Sequence, residues 1–162
     1  EMGYDVKVSE VHGMSQRGGS VVTYVRYGEK VYSPVIEKGE ADIIISFEQL
    51  ESARWLPYLK KGGVLISSTQ HIDPMPVIMG KAAYPEDILS KIKAKNVELV
   101  EIDALDLAIK AGTPKCANVV LLGAAVRFLG IDKDMWIDII KTTVPPKTVE
   151  TNLKAFELGY MA

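Results

Sequence analysis

The residue types best suited to chemistry are concentrated near the start of the chain, in residues 12–19, which read His-Gly-Met-Ser-Gln-Arg-Gly-Gly. The three glycines permit positive φ angles and a close approach by another chain or a cofactor. Arg17 offers a planar fork of donors to a carboxylate or a phosphate. A polar loop of this kind between two strands is where a scaffold usually carries its binding residues. The alternative interpretation is a tight inter-strand turn in which Arg17 pairs with Glu10.

A second group of candidate residues follows two predicted parallel strands. Glu48 comes after the first strand, and residues 67–71, Ser-Ser-Thr-Gln-His, come after the second. Parallel strands end at one edge of a sheet, and open α/β sheets bind their ligands at that edge. The alternative for Glu48 is a first-turn carboxylate at a helix N-terminus. The alternative for the hydroxyl run is capping of turns rather than phosphate binding.

The sequence does not carry the patterns expected of a zinc site, a nucleophilic cysteine, a serine hydrolase or a dinucleotide-binding loop. His12, His71 and Cys116 match no zinc-ligand spacing, so no metal site is predicted. An apolar setting raises the pKa of a thiol, which argues against Cys116 as a nucleophile. Ser15 or Ser20 with His12 lacks the Gly-x-Ser-x-Gly elbow of a hydrolase. A complete Gly-x-Gly-x-x-Gly dinucleotide fingerprint is also absent. The residues alone therefore predict a domain without a catalytic set of its own.

Composition, net charge and the cysteine count limit the classes of protein to which the chain can belong. The chain has 162 residues, of which 48% are hydrophobic and 25% charged, as is ordinary for a globular protein. Its net charge of −2 argues against a nucleic acid or an anionic membrane as partner. No apolar run is long enough to span a membrane. A single cysteine fits the reducing cytoplasm, and it cannot by itself hold an iron–sulfur cluster.

The elements that position these residues follow from periodicity and turn signals. Residues 5–11 and 19–27 are predicted strands, and Gly28 is predicted to turn the second into a short strand at residues 31–33, forming a hairpin. The apolar runs 42–46 and 64–67 suit strands covered on both faces. A helix over residues 47–60, ended by Gly62 and Gly63, joins those two strands into a βαβ unit.

The second half of the chain continues the alternating pattern. Residues 68–84 are irregular and longer than most connections, so they form either a binding loop or contain a short strand. The segment 116–129 is apolar on nearly every side, which predicts a helix buried in a core or covered by another subunit. The other predicted elements are a helix at 85–94, a helix at 104–110 capped by Asp103, a helix that Asp132 caps and that runs to Pro145, a helix at 148–159, and a strand at 97–102. This order predicts one α/β domain with a Rossmann-like, doubly wound, mostly parallel sheet.

Residues 10–21 resemble the signature loop of the gamma subunit, or gamma domain, of 2-oxoacid:ferredoxin oxidoreductases. The form at residues 12–19 is most similar to that of the indolepyruvate branch, whose small chain is the beta subunit, and the resemblance covers essentially all 162 residues. Family members open with a strand and a Gly-x-Gly-Gly-Gln-Gly turn. Residues 1–4 here resemble the end of the helix that follows this turn. We therefore expect a single gamma-type domain over residues 1–162 whose N-terminal part is missing from the sequence.

The resemblance implies a function for the chain as part of a larger enzyme. Such chains are small subunits of thiamine-diphosphate-dependent enzymes that convert indolepyruvate or another aryl 2-oxoacid to an acyl-CoA, carbon dioxide and reduced ferredoxin. Thiamine diphosphate and iron–sulfur clusters would lie on a larger, alpha-type subunit, and coenzyme A would bind in the assembled enzyme. The alternatives are a gamma subunit for pyruvate or another 2-oxoacid, and a non-catalytic nucleotide- or CoA-binding module. A subunit should expose a larger apolar patch than a monomer does.

The residues expected to contact the partner or a cofactor are taken from both groups and from the last helix. Arg17 would anchor an anionic group, His12 and Gln16 would form hydrogen bonds, and Gly18 and Gly19 would permit close approach. Asn152 would tie the last helix to the sheet edge or to the loop; the alternative is an exposed helical asparagine. The full set is Glu10, His12, Gly13, Met14, Ser15, Gln16, Arg17, Gly18, Gly19, Glu48 and Asn152.

Overall fold

The computed structural model of the chain describes residues 2–12 and 21–162, with His12 described by its backbone alone. The strands are β1 (Asp5–His12), β2 (Val21–Gly28), β3 (Ala41–Ser46), β4 (Leu59–Ser68) and β5 (Glu98–Ile102). The α-helices are α1 (Gln49–Trp55), α2 (Met75–Ile78), α3 (Ile88–Lys93), α4 (Ala104–Ala111), α5 (Ala117–Leu129), α6 (Lys133–Thr143) and α7 (Val149–Met161). Within the described residues, none of these helices is long and apolar enough to cross a membrane.

Strands β3, β4 and β5 form a parallel sheet in that order. Ile44 pairs with Leu65, which pairs in turn with Leu99 on the far side. The central strand β4 has fully buried residues such as Leu65 and Ile66, because helices cover both faces of the sheet. The βαβ unit predicted from the two apolar runs is therefore confirmed.

The two faces of the sheet carry different helices. On one face, Leu65 packs with three residues of α3, and Leu50 of α1 lies against them. On the other face, α4, α5 and α7 build the larger core around Ile66, Leu121 and Phe156. Helix α5 is apolar on nearly every side because α7 of the same chain covers it. The predicted doubly wound α/β class is confirmed.

Helices α5 and α7 cross at unusually short range through two glycines. A Cβ on Gly123 would lie 2.2 Å from the carbonyl oxygen of Phe156, and one on Gly159 would lie 1.9 Å from that of Val120. Since real Cβ atoms are not found this close to a backbone oxygen, only glycine permits this crossing. This close crossing sets the distance between α5 and α7 in the larger core.

The hairpin near the N-terminus exists, but its strands differ from the prediction. β1 pairs antiparallel with β2 over its whole length, from Asp5 opposite Gly28 to His12 opposite Val21. Residues 31–33, predicted to pair with β2, form no strand. The Val31 N–H donates instead to the Asp5 carboxylate at 2.9 Å, and Pro34, directly after Ser33, has no N–H with which to continue a ladder.

The helix predicted over residues 47–60 is shorter than expected. It ends at Trp55 and passes through a 3₁₀ turn, Leu56–Tyr58, into β4. Pro57 has no N–H with which to continue the helix. Gly62 and Gly63 lie inside β4 and are not a helix cap. A Cβ on Gly63 would lie 2.9 Å from the carbonyl oxygen of Asp42, so this glycine lets β3 approach.

The remaining elements follow the prediction with small shifts. In the irregular stretch 68–84, Ser68 ends β4, and the residues after it contain the one-turn helix α2 and no further strand. Helix α3 begins at Ile88 rather than at residue 85, because Asp87 adopts a left-handed conformation with φ of 55°. Asp103 and Asp132 cap α4 and α6 as predicted, by accepting from Asp106 N and Asp134 N.

Candidate functional site

The glycine-rich loop joins the far ends of the two hairpin strands. β1 ends at His12 and β2 begins at Val21, directly opposite each other. Residues 13–20 lie outside the described residues, so the predicted roles of Gly13, Met14, Ser15, Gln16, Arg17, Gly18 and Gly19 stay predictions. The same holds for the His12 side chain. Glu10 stands opposite Thr23, one pair before His12 on the same face of the ladder, and both are exposed.

One face of the hairpin is both apolar and exposed. We call it the outer face, and it consists of Val6, Val8, Val25 and Tyr27. Val8 is 60% exposed and Val25, directly opposite, is 53% exposed. The Tyr4 ring lies 5.7 Å from that of Tyr27 and extends the patch at its base. Contiguous exposed apolar surface marks an interaction site. The outer face is therefore a candidate interaction surface.

The inner face of the hairpin rests on the body of the chain. Tyr24 meets Trp55 edge-on, with ring centroids 6.4 Å apart. Arg26 donates to the carbonyl oxygen of Val35 at 2.9 Å. Hydrogen bonds from Lys7 and from the Val31 N–H lower the pKa of Asp5. These contacts leave the outer face turned away from the body.

Glu48, at the carboxyl edge of the parallel sheet, caps a helix. It is only 7% exposed, and its carboxylate accepts from Leu50 N at 3.0 Å, from Glu51 N at 2.7 Å and from the Tyr84 hydroxyl at 2.9 Å. The two N–H groups belong to the first turn of α1 and have no acceptor within the helix, and the third donor is the hydroxyl of a residue distant in sequence. The geometry gives Glu48 the structural role weighed as its alternative, and a contact with a cofactor or partner stays a prediction.

Tyr84 was missed by sequence reasoning because it lies in the irregular stretch 68–84. Burial, followed by the hydrogen bond to Glu48, raises the pKa of Tyr84 to about 12. The His71 ring stacks on Tyr84 with centroids 3.6 Å apart, and His71 Nε2 lies 2.6 Å from Asp73. The edge of the sheet is thus held together by Glu48, Tyr84, His71 and Asp73.

Replacing Tyr84 by phenylalanine is expected to lower the free energy of unfolding by about 1–2 kcal/mol at pH 8, because a hydrogen bond to a carboxylate is lost. The raised pKa stabilises the protonated phenol, so its contribution is present below pH 10 and disappears as the pH rises through about 12. Urea unfolding of both proteins from pH 8 upwards measures this difference. Tyr32→Phe, at a side chain 90% exposed, is the control and should change little. A constant difference up to pH 12 would contradict the assignment.

The hydroxyl run at the same edge caps backbone groups. Ser67 is fully buried and its hydroxyl lies 2.6 Å from that of Ser52. Ser46 donates to the carbonyl oxygen of Glu48 at 2.7 Å, and Ser68 accepts from Gln70 N at 3.3 Å. These contacts agree with the capping interpretation, because the hydroxyls already have partners within the chain.

Asn152 lies inside the helical layer rather than on its surface. It is 8% exposed, its amide donates to the Thr148 carbonyl at 2.8 Å, and it accepts from the Cys116 thiol at 3.6 Å. The alternative of an exposed asparagine is therefore wrong. Among the described contacts, Asn152 ties α7 to the start of α5 and not to the sheet edge. Burial raises the pKa of Cys116, as predicted for a thiol in an apolar setting.

The donor set for an iron–sulfur cluster is not found in this chain. Such clusters take several thiolates, whereas the sequence has one cysteine, and that thiol is buried against Asn152. Among residues 2–11 and 21–162, no group of three His, Cys, Asp or Glu side chains is arranged to hold a metal ion. An iron–sulfur centre that works with this chain would need ligands from outside these 162 residues.

A parallel sheet covered on both faces is typical of an α/β domain, and an exposed apolar hairpin face is typical of a surface that interacts with another molecule. Comparison with known proteins agrees with that class. The family model described as pyruvate ferredoxin/flavodoxin oxidoreductase matches residues 1–162, and the chain belongs to this family. The resemblance stated from residues 10–21 is thus confirmed.

The chain is also similar to individual proteins of known name or structure. The chain is 45% identical to the indolepyruvate oxidoreductase subunit IorB of Thermococcus kodakarensis, over 99% of this chain and 82% of that protein. The IorB protein of Pyrococcus horikoshii is 45% identical with the same coverage. In fold, the chain resembles the gamma subunit of a keto/oxoacid ferredoxin oxidoreductase from Geobacter sulfurreducens, with a TM-score of 0.67 at 23% identity, over 98% of this chain and 80% of that one.

Proposed function

We propose that the chain is the small, gamma-type subunit of a cytoplasmic 2-oxoacid:ferredoxin oxidoreductase of the indolepyruvate type. Family membership and 45% identity to two IorB proteins support this specificity over pyruvate or another 2-oxoacid. The assembled enzyme oxidises and decarboxylates an aryl 2-oxoacid to an acyl-CoA, carbon dioxide and reduced ferredoxin. Thiamine diphosphate and iron–sulfur clusters, on the large subunit, supply that chemistry when bound.

The observation that carries this proposal is the exposed outer face of the hairpin. An apolar sheet face more than half exposed at Val6, Val8 and Val25 is costly in water unless a partner covers it. The large subunit packs on this face, and the glycine-rich loop at the tip of the hairpin meets the partner near its cofactor. There, Arg17 pairs with an anionic group of the partner, the substrate or coenzyme A.

A nucleotide- or CoA-binding module that acts alone is less well supported. A module that acts alone does not need the exposed apolar outer face of the hairpin. The Glu48 carboxylate, at the edge where a nucleotide would bind, is already engaged by Leu50, Glu51 and Tyr84. The contacts of the described residues therefore favour the subunit.

The double substitution Val8→Glu with Val25→Glu is expected to weaken binding to the large subunit at least about tenfold, because two carboxylates would be buried in an apolar interface. Co-purification and an association measurement on the two subunits test this, together with 2-oxoacid-dependent dye reduction. Both side chains are exposed in the free chain, so its melting temperature should change little.

Ile109→Glu serves as the matched control for this experiment. Ile109 is 56% exposed, and it lies on α4, on the body of the chain. This variant should assemble like the wild type. If the hairpin variant kept wild-type affinity and activity, the outer face would not be the docking surface and the proposal would lose its main support.

A further inference from the structure

We infer that the loop after β4 forms a two-fold contact between two copies of this chain. Residues 72–83, which we call the α2 loop, contain the one-turn helix α2 and follow the carboxyl end of the central strand. Asp73 and Lys81 are the only charged residues of the loop. The contact uses no residue of the hairpin, so it does not rest on the proposed function.

The two ends of the α2 loop are held together on the body of the chain. The His71 ring, just before the loop, stacks on the Tyr84 ring, just after it, with centroids 3.6 Å apart. The Tyr84 hydroxyl donates to Glu48 at 2.9 Å. Gln49 N donates to the carbonyl oxygen of Gln70 at 3.1 Å. Loops whose ends meet in this way are compact Ω-loops, and they often carry function.

The α2 loop satisfies its own backbone and presents apolar side chains. The N–H groups of residues 77–82 all donate to carbonyl oxygens of residues 74–77. Four of its large apolar side chains are more than half exposed: Ile72, Met75, Ile78 and Met79. The last three share one face, because positions i, i+3 and i+4 of a helical turn are neighbours. Apolar side chains grouped on an exposed turn mark an interaction surface, and methionine adapts readily to what it contacts.

The order of the charges along the loop selects a second copy as the occupant. In a two-fold contact, each copy presents the same residues in reverse order. Asp73 and Lys81 lie four residues before and four residues after Val77. Two loops that cross antiparallel about an axis near Val77 therefore place Asp73 opposite Lys81 twice, and Met75 opposite Met79. Lys81 has no hydrogen bond or ion pair among the described residues, so its ammonium is available for this pairing.

The size and charge of the α2 loop fit a weak contact of this kind. The loop has twelve residues, fewer than the roughly 20–30 per side that a standard protein interface uses, so the dimer is expected to be reversible. Its two charges cancel, so it offers no net attraction to an anionic membrane or a nucleic acid. A second copy brings both the apolar surface and the complementary charges.

Sedimentation equilibrium of the full chain measures this contact. The wild type should show a monomer–dimer equilibrium with a Kd of about 100 µM. Ile78→Glu should weaken the dimer at least about tenfold, because a carboxylate would be buried in an apolar contact. Ile109→Glu, at an exposed side chain of α4, is the matched control and should dimerise like the wild type. Val8→Glu with Val25→Glu should do so too, which separates this contact from the outer face of the hairpin.

Charge reversal tests the two-fold arrangement itself. Asp73→Lys alone and Lys81→Asp alone each place like charges opposite each other twice, and each should weaken the dimer about fivefold. The two reversals together should restore the affinity to within about twofold of the wild type.

A chain that stays monomeric well above the expected Kd would overturn the inference. Wild-type dimerisation of Ile78→Glu would overturn it too, as would a double reversal that dimerises no better than the single ones. If Ile78→Glu kept the dimer and weakened binding to the large subunit, the α2 loop would belong to that interface instead.

Discussion

Gly159→Ala is expected to lower the free energy of unfolding by about 3 kcal/mol or more, even though alanine favours a helix over glycine by about 1 kcal/mol. The added methyl group would lie 1.9 Å from the carbonyl oxygen of Val120 and 2.7 Å from its carbonyl carbon. Both atoms belong to the backbone of α5, so no side-chain rotation relieves the overlap. The two helices would have to separate, and the core that they share around Phe156 would lose its packing.

Urea unfolding followed by circular dichroism measures the effect of Gly159→Ala. Gly28→Ala is the control, since the nearest atom to its added Cβ is Val31 Cγ2 at 4.0 Å, and this change should alter stability by no more than about 0.5 kcal/mol. Gly123→Ala should reproduce the loss, because its Cβ would meet the Phe156 carbonyl from the other side of the same crossing. If Gly159→Ala were as stable as the wild type, the close crossing of α5 and α7 would be wrong.

Glu48→Ala is expected to lower the free energy of unfolding by about 3 kcal/mol, the sum of two losses. Removing a helix N-cap costs about 1 kcal/mol, and leaving the partly buried Tyr84 hydroxyl without its acceptor costs about 2 kcal/mol more. Leu50 N, Glu51 N and the Tyr84 hydroxyl all lose their acceptor at once. Because Tyr84 carries the stacked His71 ring, the loss should also loosen the edge of the sheet.

A double-mutant cycle separates the two losses at Glu48. In the Tyr84→Phe background the orphan hydroxyl is absent, so Glu48→Ala should cost about 2 kcal/mol less than in the wild type. Asp103→Ala, which removes a cap bonded only to Asp106 N, is the control and should cost about 1 kcal/mol. Additive effects of the two substitutions would show that Glu48 and Tyr84 are not coupled.

Local patterns were sufficient to predict much of the fold. The apolar run at residues 42–46 and the capping aspartates Asp103 and Asp132 carry short-range signals, and each element appears close to where these signals predict it. The start of β4 carries no such signal. Lys60, Lys61 and two glycines resemble a loop, and they lie in the irregular part of β4 between the Leu59–Ala41 and Val64–Ile43 pairs with β3.

The candidate site was harder to predict, because its contacts join distant parts of the chain. Glu48 and Tyr84 are 36 residues apart, and Trp55 of α1 meets the Tyr24 ring of the much earlier strand β2. Neither contact can be predicted from the residues that lie next to it in the sequence. The apolar face of the hairpin could be predicted from the sequence, since Val6 and Val8 alternate with Lys7. Alternation alone does not reveal which face contacts the body of the chain and which is exposed to water.

The hairpin is a two-stranded sheet of its own, joined to the rest of the chain by the contacts of its inner face. A sheet of two strands is only marginally stable in water, so it opens at a smaller free-energy cost than the parallel sheet does. In an unassembled copy, proteases therefore reach the hairpin long before the core unfolds. If the large subunit packs on the outer face as proposed, it would close that route, and the lifetime of the chain would then depend on assembly.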